Sequence, residues 1–145
     1  KRIKANDPVA MRREGTENYF KGNYISALKW YNKAVELGDV DAHYKLAALY
    51  HQAQGVEKDR EKKIHHWEEA AIGGHPIARH NLGCEEWGSG NIERAVKHFT
   101  IAANLGYDES IKALMDNFTD GFVSKDDLAA ALRANQAAVD ATKSP

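Results

Sequence analysis

His80 and Cys84 are the two side chains best spaced to do chemistry: four residues apart on one helix face, they could hold a metal ion or pair a thiol with a base. A structural zinc site needs more ligands than these two, and no third is obvious in the sequence. The plainer reading is a cysteine that behaves as a small hydrophobe. His65 and His66 are adjacent, so on a helix their side chains point about 100° apart and share a site poorly. His66 instead takes a slot that Trp30 and His98 hold in corresponding stretches. The pairs Glu68-Glu69, Glu85-Glu86 and Asp126-Asp127 lie on helices whose solvent sides need charge. A glycine-rich phosphate loop, a G-x-S-x-G elbow and an H-E-x-x-H motif are all missing. Since no nucleophile, base and stabiliser converge, the sequence predicts no enzyme, no cofactor and no metal.

Composition narrows the remaining classes. The 145 residues, 43% hydrophobic and 28% charged, suit one compact helical domain. Twenty basic residues balance twenty-one acidic ones, so no global field draws the chain onto phosphate or anionic lipid. Lys1, Arg2, Lys4, Arg12 and Arg13 form the one basic cluster and read as a solvated face, while the signs alternate through Glu57-Lys58-Asp59-Arg60-Glu61-Lys62-Lys63. Seven histidines titrating near the unperturbed value of about 6.5 would make the chain distinctly cationic toward pH 5. No signal peptide is visible, and no apolar run approaches the roughly 20 residues that span a bilayer. A single cysteine, Cys84, permits no intrachain disulfide and points to an intracellular setting, cytoplasmic or nuclear.

The elements that would position these side chains repeat. Ala42-x3-Leu46, Ala78-x3-Leu82 and Ser110-x3-Leu114 each follow an aromatic, an alanine and a glycine: Tyr31, Ala34, Gly38; Trp67, Ala70, Gly74; Phe99, Ala102, Gly106. The successive intervals Ala10–Ala42, Ala42–Ala78 and Ala78–Ser110 are 32, 36 and 32 residues, a solenoid period. The four extra residues fall in the 54–60 loop, which accepts them cheaply because closure entropy grows only logarithmically with length. Asp7-Pro8 and Pro76 mark helix starts, whereas Gly38, Gly74 and Gly106 mark ends. The punctuation predicts helices over 8–21, 23–37, 40–53, 60–73, 76–88, 91–105 and 108–118, and from 124 to about 141. Leu46, Leu82 and Leu114, with Tyr50 and Phe118 four residues on, make the apolar stripe of the first helix in each repeat. Ala34, Ala70 and Ala102 let the second helix approach, and Tyr31, Trp67 and Phe99 fill the space between repeats. The final helix, capped by Ser124 and rich in alanine, closes the apolar end of the array.

The phrase Gly38-Asp39-x-x-Ala42-x3-Leu46-Ala47-x2-Tyr50, continuing through Gly55-Val56-x2-Asp59-x3-Lys63 to Trp67-x2-Ala70-Ala71-x2-Gly74, resembles a Sel-one-like repeat, the longer-looped relative of the tetratricopeptide repeat. The resemblance covers about residues 8–123 and departs from the pattern at Glu14, Glu86 and Ala53, where Leu, Tyr and Gly are expected. It implies an all-α fold: a right-handed α-α superhelix of about three and a half helical pairs with a C-terminal capping helix. The expected organisation is a lead-in over 1–7, one repeat domain over 8–141 with repeats 8–39, 40–75, 76–107 and 108–141, and a frayed tail over 142–145.

Ala5-Asn6-Asp7-Pro8-Val9-Ala10-Met11, Glu69-Ala70-Ala71-Ile72-Gly73-Gly74-His75-Pro76, Arg94-Ala95-Val96-Lys97-His98 and Ala137-Ala138-Val139-Asp140-Ala141-Thr142-Lys143-Ser144-Pro145 further resemble the repeat region of RING-finger proteins of diatoms and related marine algae. One cysteine cannot build a RING, so that resemblance implies a fragment of a longer protein.

In tetratricopeptide-like arrays the first helix of each pair lines the concave side. Carried over by position, that implies a groove of Arg12, Thr16, Tyr19 and Phe20, then Tyr44, Ala48, His51 and Gln52, then His80, Cys84 and Trp87, and finally Lys112 and Asp116. Aromatic residues interleaved with His, Arg and Lys suit a peptide or protein partner with apolar anchors and some acidic character. The expected function is a protein-interaction scaffold without chemistry of its own, and more narrowly the substrate-recruiting arm of a RING-type ubiquitin ligase. An RNA-binding helical repeat is the alternative, which the balanced charge disfavours; a membrane partner is not expected.

Overall fold

A computed structural model describes residues 6–143. Lys1, Arg2 and Lys4 of the basic cluster, Ala5, and Ser144-Pro145 of the expected tail lie outside the described residues. Eight α-helices and no strand are found among the described residues: α1 Pro8–Phe20, α2 Tyr24–Glu36, α3 Val40–Gln52, α4 Arg60–Ile72, α5 Pro76–Gly88, α6 Ile92–Asn104, α7 Asp108–Thr119 and α8 Lys125–Lys143. The all-α expectation holds, and α8 runs two residues further than the sequence suggested.

Local chemistry sets these bounds. Asp7, Asp39 and Asp59 each accept a hydrogen bond from the backbone N–H three residues on, and Ser124 Oγ accepts from Asp127, so four helices start on a side-chain cap. Gly38 ends α2 at φ +86, a conformation that penalises a Cβ. Its N–H reaches Val35 O at 2.9 Å while Asp39 N–H reaches Ala34 O at 3.1 Å, the paired bonds of a Schellman stop. At the end of α3 the same left-handed turn falls on Ala53, φ +55, where the repeat pattern has glycine.

The chain divides into two compact halves at His75/Pro76. In the first half α1 packs on α2 and α3 on α4, with α2 against α3. Its core is Ala27, Tyr31, Ala34, Ala42, Leu46 and Leu49. In the second half α5 packs on α6 and α6 on α7, and α8 covers both α6 and α7. That core comprises Ala95, Phe99, Ala103, Leu114, Val123 and Ala131. α8 is latched as well as packed, because buried Asn135 donates from Nδ2 to Ala103 O at 3.0 Å.

Two helical glycines let the repeat aromatics sit down on a backbone. A Cβ on Gly15 would stand 2.7 Å from the Tyr31 ring, and one on Gly83 would stand 2.6 Å from the Phe99 ring. A close ring contact is thereby set against the roughly 1 kcal/mol that a mid-helix glycine costs. One part of the expected stripe is different: Phe118 is 40% exposed, and the buried residue of that turn is Asn117. Three residues after its repeat leucine, Asn117 holds the position that Leu49 holds after Leu46.

Candidate functional site

In the first half the predicted groove residues separate into three environments. Thr16, Tyr19, Phe20, Tyr44 and Ala48 line one cleft of about 160 Å³, joined by Lys45. Tyr19 meets both Phe20 and Tyr24 at ring separations of 5.4 Å, and Phe20 is 80% exposed. Thr16 Oγ1 lies 3.0 Å from the Tyr31 hydroxyl at the floor. Burial raises the pKa of that phenol, with the Thr16 bond opposing, so it stays protonated. Tyr44 is half-buried and stacks on His75 at 4.3 Å, and burial raises its phenol too. His51 belongs elsewhere, in a cleft with Tyr50, Lys58 and Arg60, while Gln52 lines neither.

Arg12 is diverted from the groove that the resemblance implied. Its Nε donates to Asp39 Oδ2 at 2.8 Å, and Asp41 lies 3.7 Å from Nη2. The same Asp39 oxygen caps α3, so the guanidinium is spent on holding α1 to the start of α3.

The second half gathers Cys84, Trp87 and Asp116 around one cleft of about 530 Å³, with Phe99, Asn117 and Asp120 in its wall. Lys112 is not among the lining residues and pairs with Glu109 at 3.2 Å. His80 is turned to Ser110, Nδ1 to Oγ 2.7 Å, between the rings of Phe99 and Tyr107. Burial lowers the His80 pKa, opposed by Glu109, and leaves a neutral ring. Cys84 is exposed as a residue, yet the partial burial of its thiol against the cleft, with Glu85 beside it, raises its pKa. A raised thiol is a poor nucleophile, so the His80–Cys84 spacing does not yield an activated pair. Among the described residues no group of three His, Cys, Asp or Glu is placed to hold a metal.

One histidine contact was not foreseen. His43 Nδ1 on α3 lies 2.9 Å from His66 Nδ1 on α4, so one ring donates and the other accepts, and burial favours the neutral form of both. Burial, then His43, His65 and Lys62, lower His66 to about 4; burial also lowers His43 and His75. With His80, four of the seven histidines therefore titrate below their ordinary range, and the charge swing expected near pH 6.5 is smaller and later.

Asn117 and Asp120 were also missed. The signal for Asn117 was available: an amide in the register of Leu49. Asp120 stands six residues after Leu114, the place that Gln52 holds after Leu46, and was passed over because the helix was expected to end at 118. With Arg12 and Lys112 engaged by carboxylates, the expectation of an acidic partner loses two of its supports.

No described helix is long and apolar enough to cross a membrane. The family model for the Sel1 repeat matches residues 9–39, 40–75 and 76–107. Over 88 residues the chain is 31% identical to the uncharacterized protein NMB1327 of Neisseria meningitidis serogroup B, covering 55% of this chain and 18% of that protein. Among solved structures it is similar to a Sel1 repeat protein from Oxalobacter formigenes, with TM-score 0.78 and 24% identity over 91% of this chain and 58% of that one. It is also similar to c5321, a protective antigen of uropathogenic Escherichia coli displaying an SLR fold, with TM-score 0.74 and 27% identity over 90% of this chain and 30% of that one. The chain thus spans less than two thirds of each of these relatives.

Proposed function

The chain belongs to the Sel1 repeat family, and from that premise we propose that it is a scaffold that engages a peptide or protein partner through the faces of its first helices. Proteins of this family are typically non-enzymatic interaction scaffolds, and the poorly reactive Cys84 thiol and neutral, engaged His80 are in keeping with that. The observation that carries the reading is exposure at the clefts. Phe20 at 80% and Trp87 at 41% present large apolar surfaces at the mouths of two clefts, where aromatic anchors of a partner surface are expected.

Selection of a displayed peptide library on the whole protein tests this. Recovered peptides should lose about 1 to 4 kcal/mol of affinity on Phe20→Ala or Trp87→Ala, with melting temperature little changed. Tyr44→Ala is a less clean probe, because its ring is stacked on His75 and its loss also weakens the fold. A library that yields no binder, or binders indifferent to both substitutions, overturns the reading. A labelled RNA that binds with Phe20 and Trp87 in its footprint would replace it with the nucleic-acid alternative.

The narrower assignment, the substrate-recruiting arm of a RING-type ubiquitin ligase, is supported by the four resembling segments alone. It requires a cysteine-rich zinc module on the same polypeptide. Reading the complete transcript decides that point.

A further inference from the structure

We propose that the cleft between α5 and α7 in the second half is a binding site for an arginine side chain of the partner, an inference that rests on the scaffold reading and gives it a chemistry. Three observations converge on a cation, and a planar one.

The first is Asn117. Its residue is only 3% exposed, and its Nδ2 donates to Ala113 O at 2.7 Å, which fixes the other amide atom as the acceptor Oδ1. That Oδ1 is buried without a hydrogen-bond partner. An unmet buried acceptor destabilises the fold, and the equivalent position of the first half holds Leu49, which incurs no such cost. Asn117 stands in the wall of the cleft, so a donor that enters there and displaces the atoms covering Oδ1 satisfies it.

The second is Asp116 and Asp120. They lie four apart on and just beyond α7, at the mouth of the same cleft, and neither has an ion-pair partner among the described residues. Like charges at this spacing repel, and a cation seated between them relieves the repulsion. The basic residue nearest in sequence, Lys112, is drawn to Glu109 instead.

The third is Trp87, 41% exposed on the α5 side of the cleft. An indole face is the best aromatic partner for a cation, and a guanidinium can stack on it while its N–H groups point outward in a plane. Arginine therefore meets all three at once: π face, two carboxylates and one neutral acceptor. An ammonium is a compact charge without that planar match.

The test is a titration of the whole, isotopically labelled protein with N-acetyl-arginine amide, followed by amide and indole N–H resonances at low salt. Parallel titrations use the lysine, leucine and glutamate amides. The expected result is saturable movement of the Trp87 indole and of residues 113–120 with arginine amide, at least threefold weaker with lysine amide, and absent with the other two. Asp116→Asn with Asp120→Asn should weaken arginine binding about tenfold without altering the fold, since both side chains are exposed. Asn117→Leu should abolish binding while raising the melting temperature; should that variant fail to fold, the aspartate pair still decides. Binding of arginine amide that is unchanged in the aspartate double variant, or matched by lysine amide, overturns the inference. Shifts from leucine or glutamate amide but not arginine overturn it while leaving the scaffold reading in place. No shift from any amide overturns it too, and the peptide selection then judges the scaffold reading separately.

Discussion

The α3–α4 pair and the α5–α6 pair answer the same packing problem in two ways. In α5–α6 the residue after the repeat leucine is Gly83, and the Phe99 ring lies directly where a side chain would begin. In α3–α4 the corresponding residue is Ala47, the aromatic is Trp67, and a polar seam runs between the helices, His43 to His66. Both arrangements bury their aromatic almost completely. The repeat therefore prescribes a volume to be filled at the helix interface, and leaves open whether backbone contact or a hydrogen bond completes it. A seam of imidazoles depends on pH, whereas a ring seated on glycine does not.

The largest effect expected tests the part both pairs share. Leu82→Ala should cost about 2 to 5 kcal/mol of unfolding free energy in denaturant titration, as a cavity opens beneath a side chain that is 6% exposed. Trp87→Ala on the same helix should cost far less. Equal losses would mean that Trp87 is core and not surface.

Acid should separate the pairs next. His66 titrates near 4 when folded and near 6.5 when unfolded, so the unfolded chain binds the proton first as pH falls. The stability held by the neutral ring is complete above about pH 6.5 and drains away as pH drops toward 4. With the solvent that still reaches the ring, the loss is about 2 kcal/mol. His66→Gln should flatten the profile in that window. A slope unchanged by the substitution would place the acid sensitivity elsewhere.

Gly83→Ala converts one pair toward the other. The new methyl would stand 2.6 Å from the Phe99 ring, and overpacking of that kind costs about 1 to 3 kcal/mol, partly offset by the better helix propensity of alanine. A melting temperature equal to or above that of the parent would show that the ring can move aside, and that the glycine is not what the pair depends on. The smallest effect should come from the loop that only α3–α4 carries. Ala53→Gly removes a left-handed alanine and should stabilise by about 1 kcal/mol, read as a higher melting temperature.

The fold was nearly all legible because its signals are local. Asp7, Asp39, Asp59 and Ser124 start helices through bonds to residues three positions away, and Gly38 or Gly74 stops them through bonds just as short. The faces of the first helices were less legible because their partners are remote in sequence. Nothing near Arg12 announces that Asp39, 27 residues on, will take it. His80 finds Ser110 across 30 residues, and Asn135 finds Ala103 across 32. A carried-over pattern can place a residue on a helix, but competition from another side chain decides whether its charge remains available. Asn117 is the reverse case, visible in register against Leu49 yet telling only once its unmatched oxygen is seen.

The bond between Arg12 and Asp39 has a consequence for how the first half opens. Repeat arrays unfold as a chain of nearest neighbours, and a terminal helix can ordinarily peel away while the rest keeps its amides protected from exchange. Here one carboxylate oxygen serves both the guanidinium of α1 and the first amide hydrogen bond of α3, at Ala42. Departure of α1 therefore loosens the start of a helix two positions along, and protection at Ala42 should fall together with protection in α1. The shared oxygen thus adds a direct tie between α1 and the start of α3 to the packing of α2 against both.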